Sequence, residues 1–239
     1  MEGFRPRSVL VTGSDRGIGL GLVKRFLEMP DPPEWIFATS LNLDSCEGKE
    51  LMWGSEKAVV MMTPNGACKG CMNRSPVLFG QRGAKAGVPP PFWAPCQGQA
   101  SLSRGLLCFP KAFLPLLKKA AQRSPRKEGL SCSKAAIVNI SSDFGSLEKM
   151  SGWCLSEVIS YRCSKTAVNM LTRCQSLQYK PFGIFAMSIH PGWVKTAMGT
   201  MLVPQTVEES SSGIVKVLSS VTEKDTGSFI DWEGNAVPW

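Results

Sequence analysis

Three groups of residues in this 239-residue chain have types and spacing suited to chemistry. The first is Thr12-Gly13-Ser14-Asp15-Arg16-Gly17-Ile18-Gly19, which follows a short β-branched run and opens a stretch of helical spacing. A pyrophosphate binds where backbone N–H groups come close and a helix N-terminus points at it. Side chains would block that approach, so glycine is needed where the backbone touches the ligand. Gly13, Gly17 and Gly19, with Ser14, Arg16 and Ile18 between them, are therefore candidate cofactor-binding residues for a dinucleotide. The second group is Tyr161 and Lys165. Four residues make about one helical turn, so the phenol and the ammonium share a face. A phenol titrates near 10 unaided, and a nearby ammonium favours the phenolate. Tyr161 thereby comes into range as general acid or base for a carbonyl/alcohol pair. The third is Ser142, which ends a strand-like run and can polarise the same carbonyl oxygen.

These residues need a scaffold. Ser8–Thr12 is short, apolar and β-branched, which predicts a buried parallel strand. Gly17–Glu28 places Ile18, Leu22 and Phe26 on one helical face, with Lys24 and Arg25 on the other, and Pro30, Pro32 and Pro33 stop it. Trp35–Thr39 predicts a second strand, completing a βαβ unit. Order resumes at Ala112, where Phe113, Leu114, Leu116, Leu117 and Ala120 predict a helix. Ala135–Ile140 reads as a strand leading into Ser141-Ser142. Glu157–Leu177 reads as a long helix with Met170, Leu171, Cys174 and Leu177 on one face. Gly183–Ile189 is a further strand, running into His190-Pro191-Gly192. Thr206-Val207-Glu208-Glu209 is a capping box opening a helix through Ile214, Val217 and Leu218, and Ser228–Ile230 is a closing strand. The expected fold is α/β: a Rossmann-type doubly wound parallel sheet in a single domain, 1–239.

Composition limits the function classes. No apolar run is long enough for a membrane span, and the first residues do not resemble a secretory signal, so the expected setting is cytoplasmic. The nine cysteines then read as thiols. The net charge of +8 lies unevenly: no Asp or Glu occurs from Lys57 to Lys127, a stretch with twelve Lys or Arg. These charges are scattered and only Phe92-Trp93 interleaves aromatics, so the stretch reads as one not shaped as a surface rather than as a nucleic-acid or membrane site. Within 41–110 lie nine of the 23 glycines, seven of the 17 prolines and five of the nine cysteines. Apart from a candidate strand at Ala58–Met62, that segment reads as atypical, irregular or disordered. Cys68 and Cys71 form half of a zinc pattern without a second pair, so no metal is expected. His190 reads as a packing residue.

The spacing Gly-x-x-x-Gly-x-Gly after Thr12, Tyr161-x-x-x-Lys165, Ser142 and Pro191-Gly192-Trp193-Val194-Lys195-Thr196 together resemble the short-chain dehydrogenase/reductase family. Residues 8–39 and 112–239 are most similar to its branch of C-factor-like, Sniffer-type carbonyl reductases, down to Asp231-Trp232-Glu233-Gly234 and Pro238-Trp239. The resemblance implies an oxidoreductase transferring hydride to a small-molecule carbonyl substrate. Ser142, Tyr161 and Lys165 would be catalytic, with Lys165 also binding ribose. Pro191, Gly192, the Val194 backbone and the Thr196 hydroxyl would hold the nicotinamide carboxamide. Family members pair, which implies a homodimer through the Phe113 and Tyr161 helices.

The departures from the family pattern are local. The Asn-Asn-Ala-Gly strand beside the cofactor and the acidic residue after the third strand are missing. So is the family's catalytic asparagine, since no asparagine occurs between Asn73 and Asn139. Residues 41–110 read as shorter, unrelated sequence, as in an alternatively spliced or rearranged product, leaving the sheet short of its third and fourth strands. An alternative reading is therefore a catalytically impaired, cofactor-binding or dimerising pseudo-enzyme. Thr39-Ser40-Leu41-Asn42, at the end of the second strand, holds no carboxylate for ribose hydroxyls, and Arg16 can meet a 2′-phosphate, so NADP is favoured over NAD. The loop after Met198 carries Met201, Leu202 and Val203, which suggests a modest apolar carbonyl compound.

Overall fold

The computed structural model describes residues 4–40, 58–62, 113–123, 129–150, 159–195, 203 and 205–239. Strand β1 (Ser8–Thr12) leads through the glycine turn into α1 (Gly17–Leu27), and β2 (Trp35–Ser40) and β3 (Ala58–Met62) follow. Helix α2 covers 113–123. Next come β4 (Ala136–Ile140), a 3-10 turn at Asp143–Gly145, α3 (Ile159–Tyr179) and β5 (Phe185–His190). Helix α4 (Val207–Ser220) and β6 (Phe229–Asp231) complete the order.

Among the described residues the six strands form two three-stranded sheets, β1-β2-β3 and β4-β5-β6, with every pairing parallel. This is the alternating α/β, Rossmann-type arrangement that the sequence predicts. The candidate strand Ala58–Met62 is present and pairs with β2 from Ile36↔Ala58 to Ser40↔Met62, so the sheet, contrary to expectation, is not short of a third strand. Val59 and Val60 suit a strand, and the edge of β2 supplies the pairing that completes it. The rest of 41–110, expected to be irregular, lies outside the described residues.

Burial follows the apolar runs. In β5 every residue before His190 is buried, as a strand covered on both faces requires. Phe185, Met187 and Ile189 join Val11, Val23, Phe26, Ile36 and Ala38 in one hydrophobic cluster with Ile214 and Leu218 of α4. Both sheets thus share a core. Each fully buried large side chain, such as Ile36 or Phe185, contributes about 1.5–3 kcal/mol. Helix α1 packs on α4 at Gly21, where an added Cβ would collide with Val207.

Helix α3 is built the other way round. Its buried side is largely polar, with Asn169, Thr172, Gln175 and Ser176, while Met170 and Leu177 are 64% and 68% exposed. Cys174 is exposed too. The apolar face expected from the spacing exists and points away from the sheet. The polar side is satisfied against the strands: Asn139 Nδ2 donates to Thr172 Oγ1 and Gln175 Oε1, each at 2.8 Å, and the Thr172 and Ser188 hydroxyls are 2.7 Å apart.

Candidate active site

The glycine turn has the form of an anion cradle. Gly13 and Gly17 hold φ of 62° and 52°, the left-handed region that glycine enters freely. Nothing lies within 4 Å of where a Gly13 Cβ would stand, so that face is open. A Cβ on Gly19, in contrast, would strike the Gly13 carbonyl oxygen, so the turn closes only with glycine there. Ser14 is fully buried; its N–H and its hydroxyl both donate to the Thr39 carbonyl at 3.0 Å, fixing the turn to the end of β2. Arg16 is the helix N-cap, makes no side-chain capping bond, and no acidic residue lies in the first turn of α1. The first N–H groups and the positive helix end are therefore not neutralised by a carboxylate of that turn. The Arg16 guanidinium is 58% exposed and 3.6 Å from the Asp15 carboxylate. These residues fit a dinucleotide pyrophosphate, with Ile18 packed against the core behind them.

Ser142 follows β4 and caps the Asp143–Gly145 turn, its Oγ accepting the Phe144 N–H at 3.2 Å. Tyr161 lies in the first turn of α3, half-buried, with its ring edge-on to Phe144 at 6.2 Å between centroids. Burial pushes the phenol above its ordinary value, a hydrogen bond with Ser142 pulls it back, and the Asp143 charge raises it again. The expected lowering by Lys165 is not what the surroundings produce. The Lys165 ammonium is 5.7 Å from the Tyr161 ring centroid and donates to the Ile140 carbonyl at 3.0 Å. Burial pulls Lys165 down to about 8. Tyr161 is thus held as a protonated acid at neutral pH.

A buried polar seam, missed in the sequence, holds these three residues together. Ser141 Oγ donates to Asn169 Oδ1 at 2.6 Å, and Asn169 Nδ2 donates to the Gly145 carbonyl at 3.2 Å. Thr166 Oγ1 reaches the same carbonyl at 3.1 Å. A Cβ on Gly145 would come within 2.7 Å of the Lys165 backbone, so the loop lies directly on α3. The signal was available: Asn169, Thr172, Gln175 and Ser176 recur at helical spacing from Lys165.

On the other side, the Pro191 carbonyl accepts from Ser210 Oγ at 2.7 Å and from Gln205 Nε2 at 3.3 Å. Gly192 sits against the Gln205 side chain, and Val194 bridges to Gln205. Pro191, Gly192 and Val194 are therefore held by the start of α4, a role for Gln205 and Ser210 that sequence reasoning did not assign. Thr196, Met201 and Leu202 lie outside the described residues, as do Cys68 and Cys71, and Val203 is buried. Among the described residues no cluster could hold a metal ion.

Comparison with known proteins agrees with this layout. The family model described as short chain dehydrogenase matches residues 120–224. The C-signal protein of Myxococcus xanthus is 30% identical over 135 residues, 56% of this chain and 72% of that protein. An NADPH-bound carbonyl reductase from chicken fatty liver superposes with a TM-score of 0.80 at 41% identity, covering 98% of this chain and all of that one. This chain belongs to the short-chain dehydrogenase family. The carbonyl reductase Sniffer of D. melanogaster is similar as well, with a TM-score of 0.79 at 30% identity over 98% of this chain. The dehydrogenase family match takes in Ser142, Tyr161, Lys165 and Pro191–Val194, and the glycine turn lies outside its residues 120–224.

Proposed function

We propose that this chain is an NADP(H)-dependent carbonyl reductase. The observation that carries the reading is Tyr161: a phenol held protonated by burial, hydrogen-bonded with Ser142 and one turn from Lys165. When bound, the dinucleotide supplies the hydride that reaches the carbonyl carbon. The backbone of Gly13, Ser14, Gly17, Ile18 and Gly19 holds the pyrophosphate, and Arg16 takes a 2′-phosphate, hence NADP rather than NAD. Pro191, Gly192, Val194 and Thr196 receive the carboxamide, and Lys165 and Tyr161 receive ribose hydroxyls. The Ser142 hydroxyl donates to the substrate oxygen and orients it. The Tyr161 O–H gives its proton to that same oxygen, and the Lys165 ammonium steadies the phenolate left behind. The NADPH-bound carbonyl reductase at 41% identity supports both the cofactor and the substrate class.

The whole chain is taken as one domain, on the strength of the core shared by both sheets. A cytoplasmic setting belongs to the same proposal and agrees with Cys132, Cys163 and Cys174 being free thiols. No helix among the described residues is long and apolar enough to cross a membrane. Pairing of two copies through α2 and α3 would cover Leu116, Met170 and Leu177, which are exposed. That exposed stripe, with the missing asparagine, also supports the second reading: a dimerising chain that binds NADPH without turning over.

Thermal melting with and without NADPH, followed by turnover of an aromatic aldehyde, separates these readings. A ligand-shifted cooperative transition with turnover is expected, and Tyr161→Phe should reduce kcat by at least about 100-fold. A shift without turnover leaves the second reading standing. Absence of any shift would remove both.

A further inference from the structure

The chain's one histidine sits between the two loops that carry the proposed site. His190 is the last residue of β5, and Pro191 and Gly192 follow it directly. Its Nδ1 accepts the backbone N–H of Asp143, the residue after Ser142, at 3.2 Å. Its Nε2 lies 3.8 Å from Asp143 Oδ1. An imidazole that accepts at Nδ1 and keeps its proton on Nε2 is neutral. We infer that neutral His190 is a positioning residue, holding the Ser142 loop against the Pro191-Gly192 turn and releasing it when protonated.

The surroundings favour the neutral form. The charged groups facing the imidazole are Asp143 on the 3-10 turn, Lys149 in the loop after it, Lys165 on α3 and Asp231 on β6. The two carboxylates favour an imidazolium and the two ammoniums oppose it, but burial is the largest influence and carries His190 below its ordinary 6.5. The Asp143 bond is therefore intact above pH 6.5 and is lost progressively as pH falls below that value. Protonation places an Nδ1–H donor against the Asp143 N–H donor, so the loop loses its tie at the point where Ser142 is placed. Tyr161, raised above its ordinary value, stays protonated throughout this range. Loss of reduction in acid cannot then come from the general acid.

The inference rests on the reductase reading for its kinetic test, and on Asp143 alone for its structural one. Three variants are compared: His190→Asn, His190→Gln and His190→Leu. Asparagine places an acceptor where Nδ1 stood, glutamine places it near Nε2, and leucine offers none. With NADPH and 4-nitrobenzaldehyde, wild-type turnover should fall as the pH drops below the ordinary histidine value of 6.5. His190→Asn should keep neutral-pH kcat within about threefold and lack the acid limb, while Gln and Leu should lose about tenfold in kcat with KM for NADPH little changed. An acid limb retained in His190→Asn, or wild-type kcat in His190→Leu, would overturn the proposal. Amide hydrogen exchange at Asp143 is read in parallel and needs no turnover. Its protection factor, taken against the intrinsic rate at the same pH, should be lower in His190→Leu and in acidified wild type, and high in His190→Asn. If the wild type turns nothing over, the reductase reading fails, yet unchanged Asp143 exchange in His190→Leu would still be needed to defeat His190. If the leucine variant does not fold, the contrast between Asn and Gln decides the same point.

Discussion

At the β1–α1 side of the molecule the groups proposed to meet the cofactor are backbone; at the β4–α3 side those proposed to meet the substrate are side chains. Around Gly13–Gly19 almost nothing protrudes, and one buried serine ties the turn to Thr39. Around Ser142, Tyr161 and Lys165, a seam of Ser141, Thr166 and Asn169 ties the end of β4 and the Gly145 turn to α3. A phosphate is a diffuse charge and is met by several N–H groups whose positions follow from the chain path. A carbonyl oxygen is a single atom, and the groups that act on it must be held within a fraction of an ångström. The first side therefore depends on the absence of Cβ atoms and the second on a satisfied polar network.

The contrast is open to direct attack. Gly19→Val forces a side chain into the Gly13 carbonyl and should weaken NADPH binding on the order of 100-fold while Tyr161 and Lys165 stay in place. Fluorescence titration with NADPH reads this, and unchanged affinity would show that the turn is not the phosphate site. On the chemical side, Lys165 is held at about 8, so its charge is present below that pH and lost above it. Reductive kcat should fall by about tenfold per pH unit beyond that point, with NADPH supplied at saturation. A flat profile to pH 10 or so would remove Lys165 from the step.

Asn169→Leu removes the shorter acceptor of the Ser141 hydroxyl, leaving it the Lys165 carbonyl at 3.4 Å, and one of two side-chain donors to the Gly145 carbonyl, and should cost about 1–2 kcal/mol in urea unfolding. In the variants that remain folded, kcat should drop more than KM for NADPH. Equal damage to both would mean that the seam serves stability alone. The smallest expected effect is Arg16→Ala. Because the guanidinium is largely exposed, its loss should lower the preference for NADPH over NADH by about tenfold or less, measured as a ratio of kcat/KM values. A preference that does not move would assign the 2′-phosphate to another residue.

The two sides also differed in how far they could be read from sequence. The glycine turn was legible because its function follows from local backbone rules: Gly13 and Gly17 do take left-handed φ, and Gly19 does lie against Gly13. Strands β1, β2, β4 and β5 were legible from their apolar runs. Tyr161 and Lys165 were legible as a pair at one-turn spacing, but their electrostatics were not. Lys165 was expected to depress the phenol, yet the ammonium is turned to the Ile140 carbonyl and both groups respond mainly to burial. Ala58–Met62 became a strand because β2 offered an unpaired edge, which no reading of five residues alone could settle.

Residue types and spacing by themselves placed the βαβ opening, the glycine turn, the one-turn spacing of Tyr161 and Lys165 and the resemblance to the family, because each is set by contacts within a few residues or by a short motif. Only the tertiary structure decided which face of α3 meets the sheet. Its apolar stripe of Met170 and Leu177 points outward, and its polar side, through Asn169 and Thr172, docks on β4 and β5. It likewise decided that His190 joins the Ser142 loop to the Pro191-Gly192 turn, a contact across 47 residues of sequence. The physical reason is common to both. A buried polar group is placed by the partner that satisfies its hydrogen bonds, and that partner lies on another element of the fold.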